Sequence, residues 1–394
     1  MIGQFWPSRW ERLESRLIPV FDPRVSGPSQ RQFIPRIESM RGIAALTVAA
    51  MHVTSSFVEG PVRGGFDRVG LQAIKALTNG YGAVVAFFVI SGFVLARSLD
   101  KNFDLARFVR ARIFRLYPAA IVAVGVFAAL YYWFGFKLYE RSSFAPLNVL
   151  ANMLMLRADI DAVMWSMKAE VAATPLIILC VWLFRQYGSR PLITIAAVLL
   201  GLSFIGQYTR AIGDDTNLAP IYAFPVGILL HFKGREIAER LAPVAIPLLA
   251  IASVALFCGC SFFKPTGTWT LLVQCLSAAV LVLLIAYRAE AAIFVPLDLP
   301  VVRFYGRVSY SFYLLHPLAL WSAGWLTGYL MSAFDAVPMC LILAVAFVFS
   351  VVAITPAAYA SWRFVEVPAM NKRWLAPSLR YDRPLAASGD PHAT

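Results

Sequence analysis

Long apolar runs separated by short charged clusters dominate this chain. Ten stretches are apolar over enough residues to be read as transmembrane helices. They lie near 42–59, 80–97, 115–135, 164–184, 191–208, 217–232, 242–260, 269–287, 307–327 and 337–359. About 20 mostly apolar residues carry a helix across the roughly 30 Å of bilayer hydrocarbon. The pattern therefore predicts an all-α polytopic membrane protein, a bundle of about ten transmembrane helices. Residues 1–40 hold no such run and read as a basic, Pro-punctuated cytoplasmic segment, in which WERLESRLI has the pattern of a short amphipathic helix. The first apolar run starts too late, and continues too far, for a cleaved signal peptide. Residues 41–370 form one membrane domain, and 371–394 a short cytoplasmic tail with Pro, Ser and Gly. Segment 136–163 is amphiphilic and suited to folding back against the membrane.

Composition supports the pattern. Of 394 residues, 59% are hydrophobic and only 14% charged, with mean hydropathy +0.68. A soluble domain keeps about a quarter of its residues charged, so a large soluble enzyme is excluded. The net charge is +13. If the N-terminus is placed inside, the inner segments carry about three times as many Lys and Arg as the outer ones, as the positive-inside rule requires. This predicts a multi-pass protein of the inner (cytoplasmic) membrane, in contact with its lipids, with both termini cytoplasmic. The same asymmetry accounts for the charge without a nucleic-acid partner. The five cysteines (Cys180, Cys258, Cys260, Cys275 and Cys340) fall in or beside apolar runs with no metal-binding spacing. They read as small core residues, and no metal is expected.

Polar groups inside hydrocarbon are costly and therefore mark candidate chemistry. His52 and His316 lie within predicted spans. Arg41 stands eleven residues before His52, which puts the two about 20° apart on one helix face and about 16 Å apart along it. They can hold two ends of one long ligand, with His52 near mid-bilayer as a general base. The bland alternative is a histidine bonded to a neighbouring helix. The stretch RSLDKNFDLARFVRARIFRLYP carries six basic residues, of which Arg112 and Arg115 run into the third span. Guanidinium groups grip phosphates in bidentate fashion, although a positive-inside anchor explains some of these charges. In MWSMKAEV, Glu170 can orient a histidine or hold a substrate hydroxyl; otherwise it pairs with Lys168 or water. In RVSYSFYLLHPLAL, Tyr313 and His316 share a side, and Pro317 loosens the helical ladder just after His316. In SWRFVEVPAMNKR, Arg363 and Glu366 stand at the cytoplasmic end of the last span.

Together these segments resemble acyltransferase family 3, the membrane-bound O-acyltransferases, in order from about residue 36 to 370. Arg41 and His52 are similar to the family's basic residue and histidine on the first span. FFVISGFVLARSL resembles its second-span signature, RARIFRLYP its RxxR-type cytoplasmic motif, and MWSMKAEV its WSLxxE segment. SYSFYLLHP resembles its SYxxYLxHP segment, and RFVEVP its terminal E-x-P element. Glu38-Ser39-Met40 stands where the family carries an acidic residue followed by Gly-Leu, and Lys168 is unusual within the WSLxxE-like segment. The resemblance is to the stand-alone form without a C-terminal esterase-like domain.

The resemblance implies an acyltransferase that moves an acyl group, most often acetyl, from cytoplasmic acyl-CoA to a hydroxyl of a carbohydrate or glycolipid acceptor. His52 would be the base or a transiently acylated nucleophile, supported by Glu170. Arg41, Arg112 and Arg115 would hold the donor, and Ser91 with Gly92 would let the second span approach it closely. Tyr313 and His316 would serve the acceptor. The rival reading is a ten-span transporter or flippase with a mid-membrane His/Glu relay. The matching broken segments in two halves that mark inverted repeats are not found.

Overall fold

The computed structural model describes residues 35–60, 62–101, 103–205 and 217–371. WERLESRLI, the tail beyond 371 and the connection at 206–216 lie outside the described residues. Helices α1 (Pro35–Thr54), α2 (Gly65–Leu77), α3 (Gly80–Asp100), α4 (Leu105–Phe134) and α5 (Pro146–Met153) come first. They are followed by α6 (Trp165–Ala172), α7 (Thr174–Tyr187), α8 (Ser189–Ile205), α9 (Ala223–Glu239) and α10 (Ala245–Gly259). The last are α11 (Thr268–Tyr287), α12 (Pro300–Leu315), α13 (Pro317–Ala333), α14 (Met339–Ser361) and α15 (Val367–Met370). No strand occurs among the described residues.

Six stretches of this all-helical fold are long and apolar enough to cross a membrane: Gly65–Asp100, Leu105–Phe134, Ala162–Tyr187, Ala245–Phe262, Thr268–Tyr287 and Met339–Met370. The other four expected spans fall on α1, α8, α9 and the α12–α13 pair, which are shorter, broken or charged near one end. Prolines set the breaks. The fourth expected span divides at Ala173 ahead of Pro175, and the ninth at His316 ahead of Pro317. A proline has no N–H to continue the ladder, and it suits the first turn of a new helix.

Glycines set the closest helix contacts. A Cβ on Gly92 of α3 would lie 2.2 Å from the Phe224 carbonyl oxygen, and one on Gly227 of α9 2.1 Å from that of Val89. Gly92 therefore faces α9, so the close approach it permits is to that helix and not, as expected together with Ser91, to the donor. Helices α1 and α12 run parallel at a constant offset. Gly42 meets the Gly306 backbone at 2.4 Å from a built Cβ, and His52 meets His316 at the same offset of 264 residues. Small residues permit such backbone approach in membrane bundles.

The start of α1 is fastened where the family's glycine is missing. The Ser39 hydroxyl donates to the Leu297 carbonyl at 2.7 Å. Arg36 Nε donates to both Asp298 oxygens at 3.0 Å, and Arg303 donates to Asp298 Oδ1 at 2.9 Å. The two guanidiniums hold the Asp298 carboxyl down to about 2. A carboxylate lowered on folding contributes fully above its unfolded value near 4 and loses that contribution as pH falls through the folded value. Wild-type and Asp298→Asn proteins are therefore expected to differ in thermal midpoint at pH 6, with the gap closing between about pH 4 and 2. A constant gap across that window would show that the clamp is not ionic. The difference is small, because the pair is partly exposed.

Segment 136–163 folds back onto the end of α4. Phe144 stacks on Tyr131 at 4.3 Å. Asn152 donates to Asp159 Oδ1 at 3.0 Å and accepts from the Asp159 and Ile160 amides at 3.2 Å. Asn148 donates to Asp159 Oδ2 at 2.8 Å. Asp161, next in the chain, is fully buried with neither carboxylate oxygen bonded. Burial pushes its carboxyl well above the usual range. This lock places Val163, whose carbonyl enters the site below.

Candidate active site

A cavity of about 280 Å³ opens where α3 ends and α4 begins. Arg41, Ser91, Arg112, Arg115, Glu170 and Tyr313 all line it, so six of the eight residues singled out in the sequence meet in one space. His52 and His316 are not in its lining; they lie deeper, as a pair of their own.

The three arginines are not equivalent. Arg112 is buried, and its Nε donates to the Thr174 hydroxyl at 3.1 Å. Its second guanidinium nitrogen donates to the Glu170 carbonyl at 3.1 Å and reaches Glu170 Oε1 at 3.4 Å. Glu170 Oε1 also accepts from the Ser91 hydroxyl at 3.1 Å. Among the described residues, Arg41 and Arg115 have no hydrogen-bonded or ion-paired partner. Two guanidiniums without a hydrogen-bonded partner therefore line one cavity, with the carboxylates of Glu38 and Glu366 near enough to act on them through space. Such a site favours an anion. Glu170 turns to Arg112 and Ser91, and forms no bond with either histidine.

The histidines are joined by a directed chain of hydrogen bonds. His52 Nδ1 and His316 Nε2 are 2.9 Å apart, and the ring planes are 6° from parallel with centroids 5.2 Å apart, the geometry of two rings joined edge to edge by a hydrogen bond. His316 Nδ1 lies 2.6 Å from the Tyr313 carbonyl oxygen. In an unbroken helix that carbonyl would accept the N–H of residue 317. Residue 317 is proline, so the acceptor is free for His316. A carbonyl can only accept, so His316 Nδ1 carries its proton. With both rings neutral, His316 Nε2 is then an acceptor and His52 Nδ1 must donate to it. His52 Nε2 is left with an unprotonated lone pair, the form required of a base or nucleophile. His316 is buried at 2% exposure while His52 remains partly exposed. His316 thus positions His52; it does not line the cavity as the expected acceptor-binding residue would.

Tyr313 links the two parts of the site. Its ring lines the cavity and packs edge-on to Phe87 at 5.9 Å. Its hydroxyl donates to the Val163 carbonyl at 3.0 Å and accepts from Ser166 at 2.8 Å, while its own carbonyl holds His316.

Sequence reasoning did not single out Phe87 and Met167, which look like ordinary core residues. It mentioned Glu366 without a role. In the structure Glu366 is buried and accepts from Ser311, whose oxygen lies 2.8 Å from the Ser361 hydroxyl and can accept from it. A π-helical turn at Trp362–Glu366 turns the side chain inward. Such turns are frequent at functional sites, and the RFVEVP motif was its only signal.

The family model of the acyltransferase family 3 domain, an acyltransferase domain, matches residues 34–361, and the chain belongs to that family. It is 24% identical over 317 residues to a protein of Komagataeibacter xylinus named as a membrane-bound transacylase, BcsY, covering 73% of this chain and 74% of that one. A protein of Acidianus two-tailed virus named as an acetyltransferase, ORF330, is 29% identical over 142 residues, 36% of this chain and 39% of its own length. The acyltransferase MdmB of Streptomyces mycarofaciens is 33% identical over 91 residues, 23% of this chain and 22% of its own length. No solved structure matches the chain.

Proposed function

We propose that this acyltransferase takes an acyl group from acyl-CoA, which enters from the cytoplasm, and transfers it to a hydroxyl of a carbohydrate or glycolipid acceptor on the other side. The observation that carries this reading is the pairing of two arginines with no hydrogen-bonded partner in the cavity with a histidine pair that leaves His52 Nε2 unprotonated. Arg41 and Arg115 hold the donor phosphates. His52 Nε2 takes the proton of the acceptor hydroxyl as its oxygen attacks the thioester carbonyl. The C–S bond breaks, and the thiolate leaves with the proton from His52, so no net proton is consumed. Acceptor entry from the exterior fits the depth of His52 on α1. In this reading the bundle crosses the inner membrane ten times with both termini cytoplasmic, and the rich basic content of the donor side agrees with the positive-inside rule.

Binding titration of purified protein with acetyl-CoA tests the proposal. Arg115→Ala is expected to weaken binding about ten- to a hundred-fold, the loss of one charge-assisted contact of about 1.5–3 kcal/mol. Arg112→Ala should behave differently. It leaves the largely enclosed Glu170, whose side chain is 14% exposed, without its cation, a loss of up to about 3 kcal/mol, and the yield of folded protein should fall. If Arg115→Ala binds acetyl-CoA as wild type does, the cavity is not the donor site.

A further inference from the structure

The cavity is polarised along its length. The lining residues of α3 run from Phe87 to Ser98, about 16 Å of helix. Ser98 lies at the mouth, where α3 ends. On α12, the deepest lining residue is Tyr313, one turn beyond Ser309. The parallel register of α1 and α12 places Arg41 beside Tyr305, about 12 Å short of Tyr313. On α6, Met167 lies one turn away from Glu170, which pairs with Arg112. The cationic groups therefore stand toward the mouth, and Phe87, Met167 and Tyr313 close the deep end.

That end is apolar and fixed. Phe87 and Met167 are buried. Tyr313 is 3% exposed, and its hydroxyl is already engaged by Val163 and Ser166. The lining offers no cation at that depth. A terminal carboxylate there would be desolvated without a partner, and a long chain would meet the buried Phe87 ring packed on the hydrogen-bonded Tyr313. We propose that Phe87, Met167 and Tyr313 form an acyl stop that selects short, uncharged acyl groups and rejects both medium-chain and dicarboxylic ones. This rests on the acyl-CoA reading given above and names the residues that set its specificity.

The test compares binding of CoA, acetyl-CoA, succinyl-CoA and octanoyl-CoA to purified wild type, Phe87→Ala and Met167→Ala. Each added methylene that a pocket accepts strengthens binding severalfold, so an open tunnel would favour octanoyl-CoA. Wild type is expected to bind octanoyl-CoA and succinyl-CoA at least about tenfold more weakly than acetyl-CoA. In either variant the ratio of octanoyl-CoA to acetyl-CoA affinity should rise by about tenfold or more, with CoA affinity unchanged and succinyl-CoA still rejected. Ratios are taken within one preparation, so a partly unfolded variant remains informative, and Phe87→Leu serves if Phe87→Ala does not accumulate. Wild type that binds octanoyl-CoA as well as acetyl-CoA overturns the stop. So do variants that bind CoA normally yet keep the wild-type ratio. Wild type that binds no CoA at all removes the donor reading, and the stop with it.

Discussion

Replacing His52 with alanine is expected to lower acyl transfer by about a hundred- to ten-thousand-fold, the range for loss of a positioned general base. Donor binding should be unchanged, because Arg41 lies about 16 Å along α1 from His52 and neither histidine lines the cavity. Labelled acetyl transfer and a binding titration on the same purified variant give the two readouts. His316→Ala should cost less, since it removes only the acceptor for His52 Nδ1. His316→Gln, whose amide oxygen can take that hydrogen bond, should recover part of the loss. Activity in His52→Ala within about tenfold of wild type would remove the residue from the chemistry. A loss confined to donor affinity would move His52 into the binding site.

Gly227→Leu is expected to prevent folding. The new Cβ would stand 2.1 Å from the Val89 carbonyl oxygen and 2.8 Å from the Phe93 amide nitrogen. These are backbone atoms of α3, which cannot rotate away as a side chain can. The helices must part along their length, at a cost of about 3 kcal/mol or more. That is a large share of the roughly 5–15 kcal/mol that holds a domain together. Gly201→Leu on α8 is the control, since nothing lies within 4 Å of a Cβ built there. The measurement is the yield of monodisperse detergent-solubilised protein and its thermal midpoint. Equal behaviour of the two variants would show that α3 and α9 are not in contact.

The periodicity of one helix was fully legible in the sequence. Arg41 and His52 lie on α1 as their spacing demands, and motif order alone grouped Arg112, Arg115, Glu170 and Tyr313 into one site. What periodicity cannot show is the identity of the neighbour across a helix interface. Glu170 could be placed on a helix but not assigned to Arg112, which is 58 residues away. The histidine pair is separated by 264 residues, and each histidine alone is compatible with several partners. The SG of ISGF was read as a close approach to the donor: Ser91 lines the cavity, while Gly92 meets the backbone of α9. Pro317 was read as loosening a span. Its larger effect is to leave the Tyr313 carbonyl open for His316.

The unbroken course of α1 gives the site a ruler. The interval between Arg41 and His52 is fixed by the rise of the peptide helix itself, and repacking of neighbouring helices cannot shorten it. Side chains at 43–51 can therefore drift in evolution as long as they stay small where α12 presses against them. The number of residues cannot. Removing one residue would bring the imidazole about 1.5 Å closer and swing it about 100° away from His316, so this stretch should be tolerant of substitution and closed to insertion or deletion.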